Sequence, residues 1–286
     1  MNSTIADRLN AARNGAKPTD PQLASMRGAP QIARAGRNLI TVASGKGGVG
    51  KTWFSVTLSH ALARRGRRVL LFDGDLGLAN VDIQLGLLPE TDLTAVVSGR
   101  LRLRQAVVRF EEETQAKAGF DVIAGRSGTV ALSRLRPDVL VDLRNNLADL
   151  AADYDHAILD LAAGVDSAVT TLSNHAGMTI VVVTPDPTSL TDGYAFIKLL
   201  RQRQAEADIR VVVNQTEDRH EAQRTYDTLR RATENFLKFT PPLLGAVRRD
   251  RNVTAAIREQ TPMLHRHPLS PAAEDMQAIA AKIAGA

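Results

Sequence analysis

No cysteine occurs among the 286 residues, and that one absence removes disulfides, thiolate zinc sites, cysteine-ligated iron–sulfur clusters and cysteine nucleophiles together. No stretch approaches the roughly 18 consecutive apolar residues that a membrane span requires. The opening segment, MNSTIADRLNAARNGAKPTD, lacks the apolar block of a secretory signal, so the cytoplasm is the expected compartment. Tyrosine stands only at Tyr154, Tyr194 and Tyr226, which leaves no tyrosine cluster at the C-terminal end. What is present is ordinary for a folded chain. Hydrophobic residues make up 44% and charged residues 23%, near the globular averages of about 45–50% and about 25%, which argues against wholesale disorder. The length allows two domains or one large α/β unit.

The formal charge is +5, with a pI near 9.8. Taken over the whole chain, that would point to an anionic partner such as nucleic acid or lipid. The distribution says otherwise. Arg8, Arg13, Lys17, Arg27, Arg34 and Arg37 face only Asp7 and Asp20, so the first 38 residues hold +4 of the total. Residues 1–37 are rich in Ala, Asn, Gly, Pro and Arg without periodicity, and read as a mobile basic extension with at most one short helix over 5–12.

From residue 38 the pattern changes. Short apolar runs at 39–43, 68–72, 120–123, 157–161, 179–183, 210–213 and 243–247 alternate with helically spaced stretches at 53–65, 137–152, 167–175, 189–204, 221–236 and 252–259. The runs are continuous rather than alternating, as in strands buried on both faces, so the expected fold is α/β: a mostly parallel sheet with helices on both sides. No repeat and no linker divides residues 38–286.

Between the first strand and the first helix stands Gly45-Lys46-Gly47-Gly48-Val49-Gly50-Lys51-Thr52. It matches the phosphate-binding loop GxxxxGK[ST] in the context that motif requires. The glycines let backbone N–H groups wrap phosphates, and the helix N-terminus adds its positive dipole end. Lys51 is expected on the β- and γ-phosphates of a nucleotide, with the Thr52 hydroxyl on Mg²⁺. The next strand ends in Phe72-Asp73-Gly74-Asp75, and 157–161 contains Asp160. Carboxylates at the C-terminal ends of parallel strands stand where open α/β sheets bind ligands.

The second lysine, Lys46, makes the loop KGGxGK[ST], and with it the chain resembles the MinD/ParA class of P-loop ATPases with a deviant Walker A motif. The resemblance implies ATP or ADP and Mg²⁺ as ligands. It also implies a dimer in which Lys46 reaches the partner's nucleotide. Asp75 would then position the attacking water, Asp73 would support the metal shell, and Asp160 would be the Walker B aspartate. Asn214 matches the adenine-reading asparagine of the class, and Val247 and Arg248 match its second base-contacting loop. Two departures stand out: Leu161-Ala162 follows Asp160 where the class has Thr-Pro or Thr-Gly, and Arg248 replaces a proline.

Within the class, the branches that depend on cysteines are excluded, as are bacterial tyrosine kinases with their terminal tyrosine cluster. GDLGLANVDIQLGL, TPDPTSLTDGYAFIKLL and GAVRRDRNVTAAIREQTPML are most similar to the FlhG/FleN regulators of flagellar number. Residues 20–27, DPQLASMR, loosely resemble the segment through which such proteins stimulate the GTPase FlhF. The resemblance therefore implies a nucleotide switch acting on flagellar proteins, recruited by partners to the pole or inner membrane face. The alternative is a positioning ATPase of ParA or MinD type, with DNA or membrane as matrix. Arg64, Arg65, Arg67 and Arg68 are the densest basic run, and at a helix end they read as a solvated rim or dipole partners. The last segment, 271–286, has only Met276, Ile279 and Ile283 as large apolar residues and one cation, Lys282. It reads as a helix packed on the domain rather than a lipid-binding amphipathic helix, so weak or absent membrane binding is expected.

Overall fold

The computed structural model describes residues 36–91, 93–111, 118–125, 135–175 and 177–285. The helix expected at 5–12 and the segment 20–27 lie outside them. The strands are β1 (Leu39–Ser44), β2 (Val69–Gly74), β3 (Val108–Glu111), β4 (Gly119–Ile123), β5 (His156–Ala163), β6 (Met178–Val183), β7 (Asp208–Thr216) and β8 (Leu243–Arg248). The helices are α1 (Lys51–Ala63), α2 (Val81–Leu85), α3 (Leu93–Val97), α4 (Pro137–Ala151), α5 (Ser167–Leu172), α6 (Pro187–Arg203), α7 (Arg219–Leu237), α8 (Arg251–Arg258), α9 (Met263–Arg266) and α10 (Pro271–Ala284). The strands form one sheet in the order β3-β4-β2-β5-β1-β6-β7-β8. Every pairing is parallel except β3 with β4.

The continuous apolar runs have the expected cause. Successive residues of a strand point to opposite faces, and here each face is roofed by helices. Leu39, Ala43, Leu70, Phe72, Val211 and Val213 join one buried cluster, which includes residues of α4, α5, α6 and α7. Their neighbours Ile40, Val42, Val69, Leu71 and Val212 join a second, with residues of α1 and α10. Three layers result. Helix α1 is buried along almost its whole length, including Trp53, Phe54, Leu58 and Leu62; it lies between the sheet and α10, so it shows no single apolar stripe.

Helix α10 also settles the role of the C-terminal segment. Met276, Ile279, Ala272, Ala273 and Ala280 are buried, so its apolar face is taken up by the protein. Its polar side chains close the free edge of β8: the Lys282 ammonium donates to the Leu244 carbonyl at 2.7 Å, and Asp275 accepts the Arg248 N–H at 2.9 Å. Covering an edge strand in this way blocks pairing with another chain.

The opposite edge, β3, has no counterpart among the expected strands. It has four residues, and only Phe110 is buried. Helices α2, α3 and α9, with four or five residues each, are likewise too short to leave a periodic pattern.

One buried histidine braces the lower end of the sheet. His175 accepts the Gly177 N–H at Nδ1 (3.0 Å), so its proton sits on Nε2 and is donated to Thr41 Oγ1 at 2.7 Å. Burial, with a smaller push from Arg144, lowers its pKa to about 4. In the unfolded chain the value is near 6.5, so below that pH the unfolded state binds a proton that the folded state refuses. The contribution of His175 is complete above pH 6.5 and is lost as pH falls toward 4, reaching about 2 kcal/mol of lost stability at pH 5. In an NMR titration of the folded protein, the His175 ring signal should therefore stay unshifted from pH 7 to 5; a midpoint near 6.5 would contradict this placement.

Candidate nucleotide site

Strand β1 ends at Ser44 and α1 begins at Lys51, so the glycine-rich loop spans the C-terminal edge of the sheet. Gly50 caps α1 in the left-handed region (φ 89°), and a β-carbon there would lie 2.6 Å from Asn214 Nδ2. Only glycine meets both demands. Gly45 is needed for close approach: its β-carbon would stand 2.1 Å from the Asp192 carbonyl of α6. The first turn of α1 therefore leaves its backbone N–H groups directed into the loop, as an anion site requires.

The two lysines of the loop diverge. Lys51 is buried, and its ammonium donates to Ser44 Oγ at 3.0 Å. Burial lowers its pKa, while Asp160 and then Asp75 hold it up. Lys46 lies on the rim. It bonds Asp186 Oδ2 at 2.8 Å and the Thr188 hydroxyl, both at the N-terminal end of α6. The Lys46 ammonium, with the Thr188 hydroxyl and N–H donating to Asp186 Oδ1, holds the Asp186 carboxyl far below the usual carboxylate range.

Strands β2 and β5 are neighbours in register, and Asp73 pairs with Asp160 across them. Both are buried. Burial, eased by hydrogen bonds from Thr52 and Ser55 and by Lys51, leaves Asp160 at about 6. The Ser55 hydroxyl lies 3.0 Å from it. Burial and the neighbouring Asp160 raise Asp73 to about 8, against the pull of three backbone N–H groups. Those groups define what Asp73 does. Its Oδ1 accepts from Asp75 (3.2 Å), and its Oδ2 accepts from Asn80 and Val81 (3.0 Å each). The loop 74–81 is wrapped around this one carboxylate, whereas the family resemblance placed it in the metal shell.

Asp75 is half-buried in that loop, with Oδ1 accepting from Leu78 at 2.9 Å and Gly77 at 3.4 Å. Leu78 and Val165, on the loops after β2 and β5, are exposed at 67% and 41%.

The donor set suits Mg²⁺. Thr52 and Asp160 are hard oxygen ligands already joined by a hydrogen bond, and a buried carboxylate pair is stabilised by a cation. Among the described residues no group of three or more His, Asp or Glu forms a ready-made metal cage. Mg²⁺ commonly takes one or two protein oxygens together with phosphates and water, so the site fits a metal that arrives with its nucleotide.

On the base side, Asn214 at the end of β7 donates to the Val49 carbonyl at 2.8 Å and accepts the Gln215 N–H at 2.9 Å. Gln215 donates to the Gly48 carbonyl at 3.3 Å. Arg248 faces elsewhere: its guanidinium is held by Asp275 at 2.8–2.9 Å, by Glu274 and by the Pro271 carbonyl. Its side chain and its backbone N–H therefore belong to the α10 contact. Gln215 and the Asp186–Thr188 pair were not foreseen from sequence; nothing but adjacency to Asn214 marks the first, and 140 residues separate Lys46 from Asp186.

The model of the CobQ/CobB/MinD/ParA nucleotide-binding domain matches residues 40–263. The antiactivator FleN of Pseudomonas aeruginosa is 36% identical over 245 residues, 86% of this chain and 85% of that protein. The flagellum site-determining protein YlxH of Helicobacter pylori is 27% identical over 222 residues, 77% and 73% of the two chains. Among solved structures, the cell division ATPase MinD of Pyrococcus furiosus superimposes with a TM-score of 0.72 at 26% identity, covering 87% of this chain and 99% of that one.

Proposed function

The chain belongs to the CobQ/CobB/MinD/ParA nucleotide-binding family, and from that premise we propose that it is an ATP-hydrolysing, dimerising switch of MinD type that controls flagellar number or placement. The observation that carries the switch is the divergence of the two lysines. Lys51 lies inside the loop where its own phosphates would sit, while Lys46 is held outside on Asp186 and Thr188. A lysine on the rim can serve a second subunit's nucleotide. Leu78 and Val165, exposed on the loops after the neighbouring strands β2 and β5, are available for contact with a second copy.

Thr52 and Asp160 would hold Mg²⁺, which when bound would supply neutralisation of the phosphate charge. The protein's own groups do the rest. Backbone N–H groups of 45–52 and the Lys51 ammonium bind the phosphates. Asp75 orients the attacking water through Oδ2, the oxygen that takes no hydrogen bond from the described residues. Asp73 keeps Asp75 in place by holding the loop amides. Positioning of this kind is most of what phosphoryl transfer asks of a protein.

The flagellar assignment rests on the likeness to FleN and YlxH. An FlhF-like GTPase or another flagellar protein is the partner class that fits it, with recruitment to the pole or membrane through that partner. In the basic run, which the alternative reading with DNA as matrix would use, Arg64 donates to the Leu264 carbonyl, Arg67 to the Ala284 carbonyl and Arg68 pairs with Asp155, while all four arginines, Arg65 included, are exposed. No helix among the described residues is long and apolar enough to cross a membrane. Counting flagella tests the assignment. Cells without this protein should show altered number or placement, restored by the wild-type chain but not by Lys51→Ala; normal flagella in the deletion strain would refute it.

A further inference from the structure

The turn that joins α1 to β2 carries Arg64, Arg65, Arg67 and Arg68 around Gly66, and all four arginines are exposed. Gly66 holds a left-handed φ of 77°, with open space where a side chain would stand. Arg109 of β3 approaches from the other side: its guanidinium lies over Gly119 of β4, where a β-carbon would come within 2.9 Å of Nη2. Between the turn and the β3–β4 pair runs a groove of about 510 Å³, lined by Arg64, Arg67, Arg68 and Arg109 on walls of alanine and glycine. Among the described residues no carboxylate lines it.

The positive charge is only partly compensated. Arg68 pairs with Asp155 at 3.3 Å, and Arg109 with Asp121 at 3.1 Å and Glu111 at 3.9 Å. Arg64 and Arg67 each give one N–H to a main-chain carbonyl, of Leu264 and Ala284, which orients the guanidinium without cancelling its charge. Arg67 acts on Asp155 only at longer range, so five arginines face three carboxylates. A guanidinium has five N–H donors in a flat fork that suits phosphate; Arg64 and Arg67 keep most of theirs for a ligand. The surroundings narrow the choice of anion. None of the large apolar side chains exposed among the described residues belongs to the turn or to the β3–β4 pair, so no anchor for a lipid surface stands beside the groove. A nucleic acid duplex asks for positive charge spread along its backbone, whereas the cations elsewhere at this end alternate with acids, as in Arg104 with Asp153 and Arg210 with Asp208. The excess is confined to the groove, whose volume is that of a small-molecule site.

We infer that this groove is a second anion site, which takes a small soluble polyphosphate by its phosphate chain. Helix α1 has 13 residues, about 20 Å at 1.5 Å each, so the groove and the phosphate loop stand at opposite ends of one helix and can be filled together. Calorimetric titration of the full-length protein with inorganic tripolyphosphate, without Mg²⁺ and at physiological salt, tests this. The proteins are wild type, Lys51→Ala, and Lys51→Ala with Arg64→Gln and Arg67→Gln added. Glutamine keeps an N–H for each main-chain carbonyl and removes the charge. Wild type and Lys51→Ala should share a site of the same affinity, because that site does not use Lys51. The two glutamines should weaken it at least about tenfold with the melting temperature kept; if they lower it, Arg67→Gln alone carries the test, with a loss of at least about threefold. No binding by Lys51→Ala would overturn the inference, since all the tripolyphosphate would then sit at the phosphate loop. The same affinity with and without the glutamines would overturn it too. Duplex DNA and anionic vesicles, tried on the same proteins, should not distinguish them; a loss there with none for tripolyphosphate would make the groove a macromolecular surface instead.

Discussion

Lys51→Ala should bind ATP at least about a hundredfold more weakly than wild type, equivalent to about 2.7 kcal/mol, by titration calorimetry with Mg²⁺ present. Two effects add. The ammonium that would meet the β- and γ-phosphates is gone, and the buried Asp160 loses the cation that most directly offsets its burial. An unpaired buried carboxylate takes up a proton rather than remain charged, so the metal side of the site weakens as well. Lys51 also lies on Ser44, and circular dichroism must show the variant folded. Folded protein with wild-type ATP affinity would mean that the loop does not bind phosphates as described.

Asp75→Ala should do the reverse, keeping ATP and losing chemistry. On this reading the loop amides, Lys51 and Thr52 would hold the phosphates; of these Lys51 alone feels Asp75, and Asp160 is the larger support of its charge. Asp73 offers no substitute, because both of its oxygens accept loop amides. Turnover at saturating ATP should fall at least about tenfold, a barrier increase of about 1.4 kcal/mol, with little change in affinity. Loss of ATP affinity with turnover preserved would make Asp75 a structural residue, one that only caps Gly77 and Leu78.

What could be read from the sequence follows from where the chemistry is local. The phosphate loop is eight consecutive residues whose glycines and lysines have no other common use. The strands feeding it are apolar on both faces because helices cover both, so they stand out as runs. Asp73 and Asp75 are marked by following such a run, and Asp160 by interrupting one. Contacts made across long sequence separations left no trace. Nothing near Lys46 in sequence announces Asp186, and nothing near Arg248 announces Asp275. Arg248 therefore looked like a base contact, although its guanidinium is part of the α10 packing. The hold of Asp73 on its loop was hidden for a related reason. Its carboxylate holds amides up to eight residues further on, a loop closure that shows only when the backbone path is known. Strand β3 escaped because a four-residue edge with one buried side chain resembles a loop.

The central claim is that ATP brings two copies together and that Lys46 leaves Asp186 to do it. Light scattering on the hydrolysis-slowed Asp75→Ala protein tests this most directly, with and without the added change Lys46→Ala. With ATP and Mg²⁺, Asp75→Ala should have the mass of a dimer, about twice 30.9 kDa, and with ADP that of a monomer. The double variant should bind ATP yet stay monomeric. A double variant that still dimerises with ATP, or a mass that does not respond to which nucleotide is bound, would contradict the account.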